Sequence, residues 1–254
     1  MKRVVINKHV ILLYDSIEDM PIVNFQKYNK FLLIDSGIGS SLDDFDAHIA
    51  RQFKYIKENK LKELTQELVN TRQLMYLINQ EISPKYLAFA ALIAEMDGQR
   101  VHDLSDDNLK NLLDKIRTVK HSFVIRMLAK IKKKLDTELN TYFPTMFSSA
   151  KEKEAYARLR ERTILELEGI ITGKEKTDKI AEIDDFLLGL HKPKSFSGKD
   201  SVEVRYDKAF ENTCIALQFK LQIPNAKALT VLAFYNALYE MNKMLKAEEN
   251  RRRK

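Results

Sequence analysis

The sequence predicts a mainly α-helical protein, a multi-helix bundle with a short β segment at its N-terminus. Glycine and proline are scarce in the 254-residue chain, at 7 and 5 residues, whereas all-β proteins use both in their many turns. Hydrophobic residues make up 44% of the chain, which is enough to build a core. Many of them recur every three or four residues, which is the spacing of one face of a helix.

The N-terminal β segment is predicted at residues 1–14. Its pattern comes from five β-branched residues, namely Val4, Val5, Ile6, Val10 and Ile11. Such residues are typical of strands, and the segment is expected to form a strand pair or one interrupted strand. It is the only stretch of the chain with a convincing strand pattern.

A helical domain is predicted at residues 15–147. Its first helix is expected to include Pro21 in the first turn and to end at Gly37 as a left-handed cap. Ser41 is predicted to cap the next helix, because aspartates follow it and suit the first turn of a helix. Pro84 is expected to start a short apolar helix that continues through Ile93 and ends at Gly98.

Three further segments complete the predicted organisation. Residues 148–190 are expected to form charged amphipathic helices, with only a thin apolar seam in the first of them. Residues 191–200 contain proline, serine and glycine and are predicted to be a linker. Residues 201–254 are expected to form a helical hairpin with a basic tail, its helices starting near Ser201 and at Pro224.

The sequence lacks the common motifs of catalysis and of metal binding. Cys214 is the single cysteine, so disulfides within the chain and cysteine-based zinc clusters are excluded, and its apolar neighbours predict a buried thiol. Asp44 and His48 are four residues apart and could share a metal, but a helix-start aspartate and a surface histidine explain the spacing better. Gly37–Ser40 lacks the lysine of a phosphate-binding loop. We therefore predict no enzyme activity, no catalytic, metal or cofactor-binding residues and no cofactor.

The net charge of +7 draws attention to two basic features. One is a stripe on the helix predicted from residue 119 to residue 140, formed by Arg126, Lys130, Lys133 and Lys134. The other is the C-terminal tail, formed by Arg251, Arg252, Arg253 and Lys254. Both could contact the phosphates of DNA or an acidic partner protein, and the stripe could equally be a solvated helix face.

Two stretches of the chain carry a resemblance. They are YDSIEDMPIVNFQKYNKFLLIDSGIGSSLDDFDAHI (Tyr14–Ile49) and IPNAKALTVLAFYNALYEMNK (Ile223–Lys243), together under a quarter of the chain. Both resemble uncharacterised proteins encoded beside virion genes in tailed phages of gut Bacteroidota, including crAss-like phages. The resemblance implies a virion structural or assembly protein, such as a neck or tail ring component, a packaged cargo protein or a tail assembly factor.

The expected function is therefore that of a non-enzymatic head–tail connector or ring component of a tailed-phage virion. Its expected partners are other virion proteins, namely portal, ring or tail subunits, together with further copies of the chain and a contact with DNA. No membrane contact is expected, since no run approaches the roughly 18 apolar residues of a membrane span. The expected location is the host cytoplasm during assembly and then the virion. Two alternatives remain, a non-specific nucleic-acid-binding protein and a packaged cargo protein or tail assembly chaperone.

Overall fold

The computed structural model describes residues 1–79, 83–117, 119–147, 150–174, 176–189, 194–196 and 198–252, with the backbone alone at 150–153, 189 and 252. The predicted fold class is confirmed, because the protein is 73% helical, with a small antiparallel sheet that includes the N-terminus. Eleven helices lie in these described ranges.

The first six helices are α1 Ile22–Ile38, α2 Leu42–Lys57, α3 Leu61–Asn79, α4 Pro84–Ala91, α5 Asp106–Lys115 and α6 His121–Tyr142. The remaining helices are α7 Pro144–Phe147, α8 Ala150–Thr172, α9 Thr177–Gly189, α10 Val202–Leu221 and α11 Val231–Arg252. Serine caps begin several of them, as predicted for Ser41 and Ser201, whose hydroxyl oxygens each accept a hydrogen bond from a first-turn N–H group.

The sheet has four antiparallel strands in the order β1 Lys2–Ile6, β2 His9–Leu13, β3 Ile93–Met96 and β4 Gln99–Arg100. The first two form the predicted strand pair around a turn in which Asn7 has a φ of 56°. The predicted helix through Ile93 is wrong, because α4 stops at Ala91 and the next residues pair with β2. Gly98 therefore does not end a helix. It forms the β3–β4 turn together with Asp97, both at positive φ.

The end of α1 also differs from the prediction. Gly37 lies inside the helix, and the cap is Gly39, which has a φ of 83°. A Cβ atom at Gly37 would lie 2.1 Å from Cζ of Phe196, so glycine is required there for close packing. Phe196 belongs to the predicted linker, of which residues 191–193 and 197 lie outside the described residues. It is buried against α1 and α3 in a small cluster with Ile38 and Leu74.

The second C-terminal helix starts later than predicted. Pro224 precedes a short 3₁₀ helix, Ala226–Ala228, and α11 begins at Val231. The intervening backbone pairs with the segment before α1: Ile22 donates its N–H to the carbonyl of Leu229, and Val231 donates to Met20, both at 2.9 Å. These hydrogen bonds satisfy backbone groups outside the helix, which is why the chain stays extended there.

The main core joins both ends of the chain. It contains buried residues of β1–β3, α1, α4–α6, α10 and α11, among them Ile11, Phe25, Leu128, Leu217 and Phe234. The C-terminal hairpin therefore packs directly on the N-terminal elements. The segment boundaries that the sequence predicts stay predictions. Within the described parts of the chain, no helix combines the length and apolar character that a membrane crossing requires.

Candidate interaction surfaces

Helix α6 carries the predicted basic stripe on its outward side. Its inward side buries Val124, Leu128, Ile131 and Leu135 in the main core. At 100° per residue, Arg126, Lys130 and Lys133 fall on the far side of the helix and Lys134 on the adjacent flank, and all four are exposed. The structure therefore brings the four predicted contact residues together on one surface.

Lys134 differs from the other members of the stripe because it has carboxylate partners. Its Nζ lies 3.1 Å from Asp15 and 3.9 Å from Glu138. Burial alone would raise the pKa of Asp15, but hydrogen bonds from Lys134 and the N-terminal amine outweigh burial and hold that pKa below its ordinary value. Lys134 thus attaches α6 to the loop after β2.

The other three cations of the stripe differ from Lys134 in having no carboxylate partner among the described residues. Within the described parts of the chain, Arg126, Lys130 and Lys133 form no ion pair, so their charge is available to a partner. The stripe carries chemistry that can neutralise phosphates or a carboxylate surface.

The basic tail is described only at its start. Residues 242–251 of α11 are all exposed, so the last turns of this helix extend beyond the packed body. Arg251 lies on this exposed part. The side chain of Arg252 and the whole of Arg253 and Lys254 lie outside the described residues, so their predicted contacts stay predictions.

Helices α2 and α3 bury polar side chains between them. His48 and Glu67 are each 1% exposed, and His48 Nδ1 lies 2.7 Å from Glu67 Oε1. The other ring nitrogen of His48 donates to the carbonyl of Ile38 at 2.7 Å, and Arg51 Nε donates to the same Glu67 oxygen. Next to them, the amide of Gln52 donates to the hydroxyl of Thr71 at 2.7 Å.

This arrangement corrects the interpretation of His48 as a surface residue. Both of its nitrogens face oxygen atoms of Ile38 and Glu67, and Asp44 accepts hydrogen bonds from Ser40 and Ser41 at the start of α2. Asp44 and His48 therefore have separate structural partners. Among the described residues, no three histidine, cysteine or acidic side chains are grouped so as to hold a metal ion.

The same helix pair exposes apolar side chains. We define the outer face of the α2–α3 pair by Leu42, Phe53 and Ile56 of α2 and by Leu61, Leu68, Met75 and Tyr76 of α3. Leu61, Leu68 and Met75 follow each other at intervals of seven and are 66%, 52% and 50% exposed. The sequence pattern locates these apolar stripes, but periodicity alone cannot show that a stripe faces solvent.

A second apolar surface lies at the end of α8. Leu167, Ile170 and Ile171 are 53%, 79% and 82% exposed. The helix is held against α9 by Arg162, whose Nε donates to Asp184 at 2.6 Å. We call Leu167, Ile170 and Ile171 the α8 patch. Large exposed apolar side chains that cluster on one surface are typical of protein interaction sites.

Strand β1 is the edge of the sheet, and part of its backbone faces outward. Val5 of β1 pairs with Val10 of β2. The N–H of Val10 donates to the Asp97 carboxylate and its carbonyl accepts from the Asp97 N–H, so both groups point toward β3. Antiparallel pairs alternate, so the N–H and carbonyl of Val5 point to the open edge. The Val5 side chain is 60% exposed. The edge can therefore accept a further strand.

Four surfaces of the described chain are thus open to a partner: the outer face of the α2–α3 pair, the α8 patch, the basic stripe and the β1 edge. The first two are apolar, the third is cationic and the fourth offers backbone hydrogen bonds. Comparisons of the chain with protein-family models, with curated proteins and with solved structures find no match in any of the three.

Proposed function

We propose that the protein is a non-enzymatic structural or assembly protein of a tailed-phage virion, a head–tail connector or ring component that associates with copies of itself. The observation that carries the assembly part of this proposal is the outer face of the α2–α3 pair. The virion is proposed from the resemblance of Tyr14–Ile49 and Ile223–Lys243.

The α2–α3 pair supports assembly because it buries polar side chains and exposes apolar ones, the reverse of what a surface helix pair usually does. A helix pair on the surface of a monomer normally buries its apolar stripe and exposes charge. Here Glu67, Asn70 and Thr71 are buried in α3, while Leu61, Leu68 and Met75 are exposed. Covering such a face with protein removes apolar area from water, which is the main driving force of stable association.

Light scattering of the purified protein at low and high salt tests this proposal. We expect a discrete oligomer at both salt concentrations, because an apolar interface does not depend on screened charges. Leu68→Glu should shift the protein toward the monomer. Phe219→Glu is the matched control, since Phe219 is 82% exposed and belongs to α10, not to the α2–α3 pair. A monomer in the wild-type protein at both salt concentrations would contradict self-assembly.

The β1 edge offers an additional docking route through strand addition to a neighbouring sheet. Deleting residues 1–14 would also remove Ile11 and Leu13 from the core, so a loss of assembly after deletion would be ambiguous. Val5→Lys adds a charge at the open edge and leaves the core intact. Unchanged assembly of this variant would exclude the edge as a docking site.

A second candidate function, non-specific nucleic-acid binding, is supported by Arg126, Lys130 and Lys133, which form no ion pair within the described ranges. Replacing all three by glutamine should weaken binding to duplex DNA, with a shallower dependence on salt by about one unit of slope per lost phosphate contact. Lys57→Gln, Lys62→Gln and Lys220→Gln combined, three exposed lysines outside the stripe, are the control for total charge. Lys134 is left in place because it pairs with Asp15. Equal affinity and salt slope in the triple variant would exclude the stripe as a DNA site.

A further inference from the structure

A cavity of about 600 Å³ lies between α3, α4, α5 and the start of α6. Its apolar wall is formed by Leu77, Ile78, Leu87, Leu113, Ile116 and Val119. Leu87 and Ile116 are buried, so this wall is part of the packed body of the protein. The volume suits a small organic molecule, since such sites usually measure about 300–1,000 Å³.

The polar wall of the cavity carries an excess of positive charge. Lys110 and Arg117 both line it, and Asp114 is the one carboxylate among its described lining residues. Neither cation forms an ion pair within the described parts of the chain. Their charge is therefore not neutralised by an ion pair with a described residue and favours an anion in the cavity.

Tyr86 and His121 also line the polar wall, as do Ser40 and Ser83. The hydroxyl of Tyr86 and Nδ1 of His121 are 3.2 Å apart, and their ring centroids are 5.6 Å apart. Burial raises the pKa of Tyr86, so its hydroxyl keeps its proton at neutral pH. The pair adds hydrogen-bonding groups and ring surface next to the two cations.

A neighbouring cavity shows why the unpaired charge matters. That cavity, of about 560 Å³, is lined by Arg51, Glu67 and Asp184 among others. Three of its four described charged lining residues are already paired, because Arg51 binds Glu67 and Asp184 binds Arg162, and Lys194 is the exception. A ligand there would meet two existing ion pairs, whereas neither Lys110 nor Arg117 has one among the described residues.

We propose that the cavity lined by Lys110, Arg117, Tyr86 and His121 binds a small amphipathic organic anion. Its apolar body lies on the leucine and isoleucine wall, and its carboxylate or phosphate lies between Lys110 and Arg117. Arginine binds either group through two parallel hydrogen bonds, and charge-assisted bonds of this kind are the strong ones. The site is independent of the proposed virion function, because none of its residues belongs to the four interaction surfaces.

Calorimetric titration of the full-length protein with four probes tests the site. The probes are 1-naphthoate, 1-naphthyl phosphate, inorganic phosphate and the neutral 1-naphthalenemethanol. We expect at least one aromatic anion to bind tenfold or more tightly than both the neutral alcohol and inorganic phosphate. A preference between naphthoate and naphthyl phosphate then distinguishes a carboxylate ligand from a phosphate ligand.

Variants identify the binding residues. Lys110→Gln with Arg117→Gln should weaken binding of the preferred anion by at least tenfold, whereas Lys115→Gln, on the same helix but outside the cavity, should leave it unchanged. Backbone amide chemical shifts should change around Tyr86 and Leu113 when the anion is added. Equal binding of the neutral alcohol, an unchanged Kd in the double variant or no binding of either aromatic anion would overturn the proposal.

Discussion

Gly37 and Phe196 illustrate how a residue can have a role that its local sequence does not suggest. A glycine followed two residues later by another glycine predicts the end of a helix, yet Gly37 is helical and Gly39 is the cap. The missing Cβ of Gly37 admits the ring of Phe196, which lies 159 positions further along the chain. A contact this distant in sequence leaves no periodic pattern, so it could not be predicted.

Gly37→Ala should destabilise the protein because the new methyl group would overlap the Phe196 ring. Overpacking of this kind costs about 1–3 kcal/mol in the free energy of unfolding. Urea denaturation measures the change. In a Phe196→Ala background the same substitution should cost nothing or stabilise the helix by about 0.5–1 kcal/mol, because the clash is absent. An equal loss in both backgrounds would refute the packing explanation.

Glu67 shows the same dependence on tertiary contacts. Burial alone would raise the pKa of its carboxyl group, but the hydrogen bonds from His48 and Arg51 outweigh burial and hold that pKa below its ordinary value of 4.5. The ionised form is therefore favoured by folding. Its contribution to stability is complete above the ordinary pKa and is lost as the pH falls through the lower folded-state pKa.

Glu67→Gln should lower the free energy of unfolding at pH 7 by about 1–3 kcal/mol, because the buried His48 and the partly buried Arg51 lose their charged acceptor. The loss of wild-type stability below pH 4.5 should also become smaller in this variant. Urea unfolding between pH 3 and pH 7 measures both effects. Glu58→Gln removes a surface ion pair with Lys60 and is the control. It should change the free energy of unfolding at pH 7, and its loss at acid pH, by no more than a few tenths of a kcal/mol.

At the scale of elements, α4 and β3 show how neighbouring strands decide local structure. Residues 84–96 are almost continuously apolar, and such a run is compatible with a buried helix or a buried strand. The chain leaves the helix at Leu92, whose carbonyl accepts a hydrogen bond from Tyr14 at 2.8 Å. The Asp97-Gly98 pair was the available sequence signal, because this dipeptide is typical of a two-residue hairpin turn.

Asp97→Ala should loosen the junction between β2 and β3. The Asp97 carboxylate accepts hydrogen bonds from His9 and from the N–H of Val10, at 2.6 and 2.8 Å. Without it, the amide hydrogen of Val10 should exchange faster with solvent, as measured by hydrogen–deuterium exchange. Asp103→Ala, which acts on Ser105 at the start of α5, is the control. Unchanged protection of Val10 in the Asp97 variant would contradict this role.

At the scale of the whole molecule, the C-terminal hairpin completes the core. Tyr235 of α11 contacts the rings of Phe25 and Phe147, with centroids 6.3 and 5.0 Å away. These residues come from the first helix, from α7 and from α11, so one aromatic cluster joins three distant parts of the chain. Removing the C-terminal hairpin would uncover Phe25 of α1 and Phe147 of α7 together.

Truncation after residue 200 should therefore prevent cooperative folding, whereas truncation after Met241 should leave the melting temperature nearly unchanged. The second variant removes only residues that are exposed in the described part of α11 or lie beyond it. Phe234→Ala, a milder change to the same core, should cost about 3–5 kcal/mol. Circular dichroism melting curves of the three variants check this. A cooperative transition in the chain of residues 1–200 would show that the N-terminal part folds alone.

The sequence by itself determined the helical class, the N-terminal β segment, the serine-capped helix starts and the common side of the basic stripe. These depend on local composition and periodicity, which act within a few residues. The tertiary structure decided the position of Gly37, the strand β3, the late start of α11 and the partner of Lys134, because each depends on a contact between distant segments. It also decided which side of α2 and α3 faces water, since periodicity locates an apolar stripe without specifying what covers it.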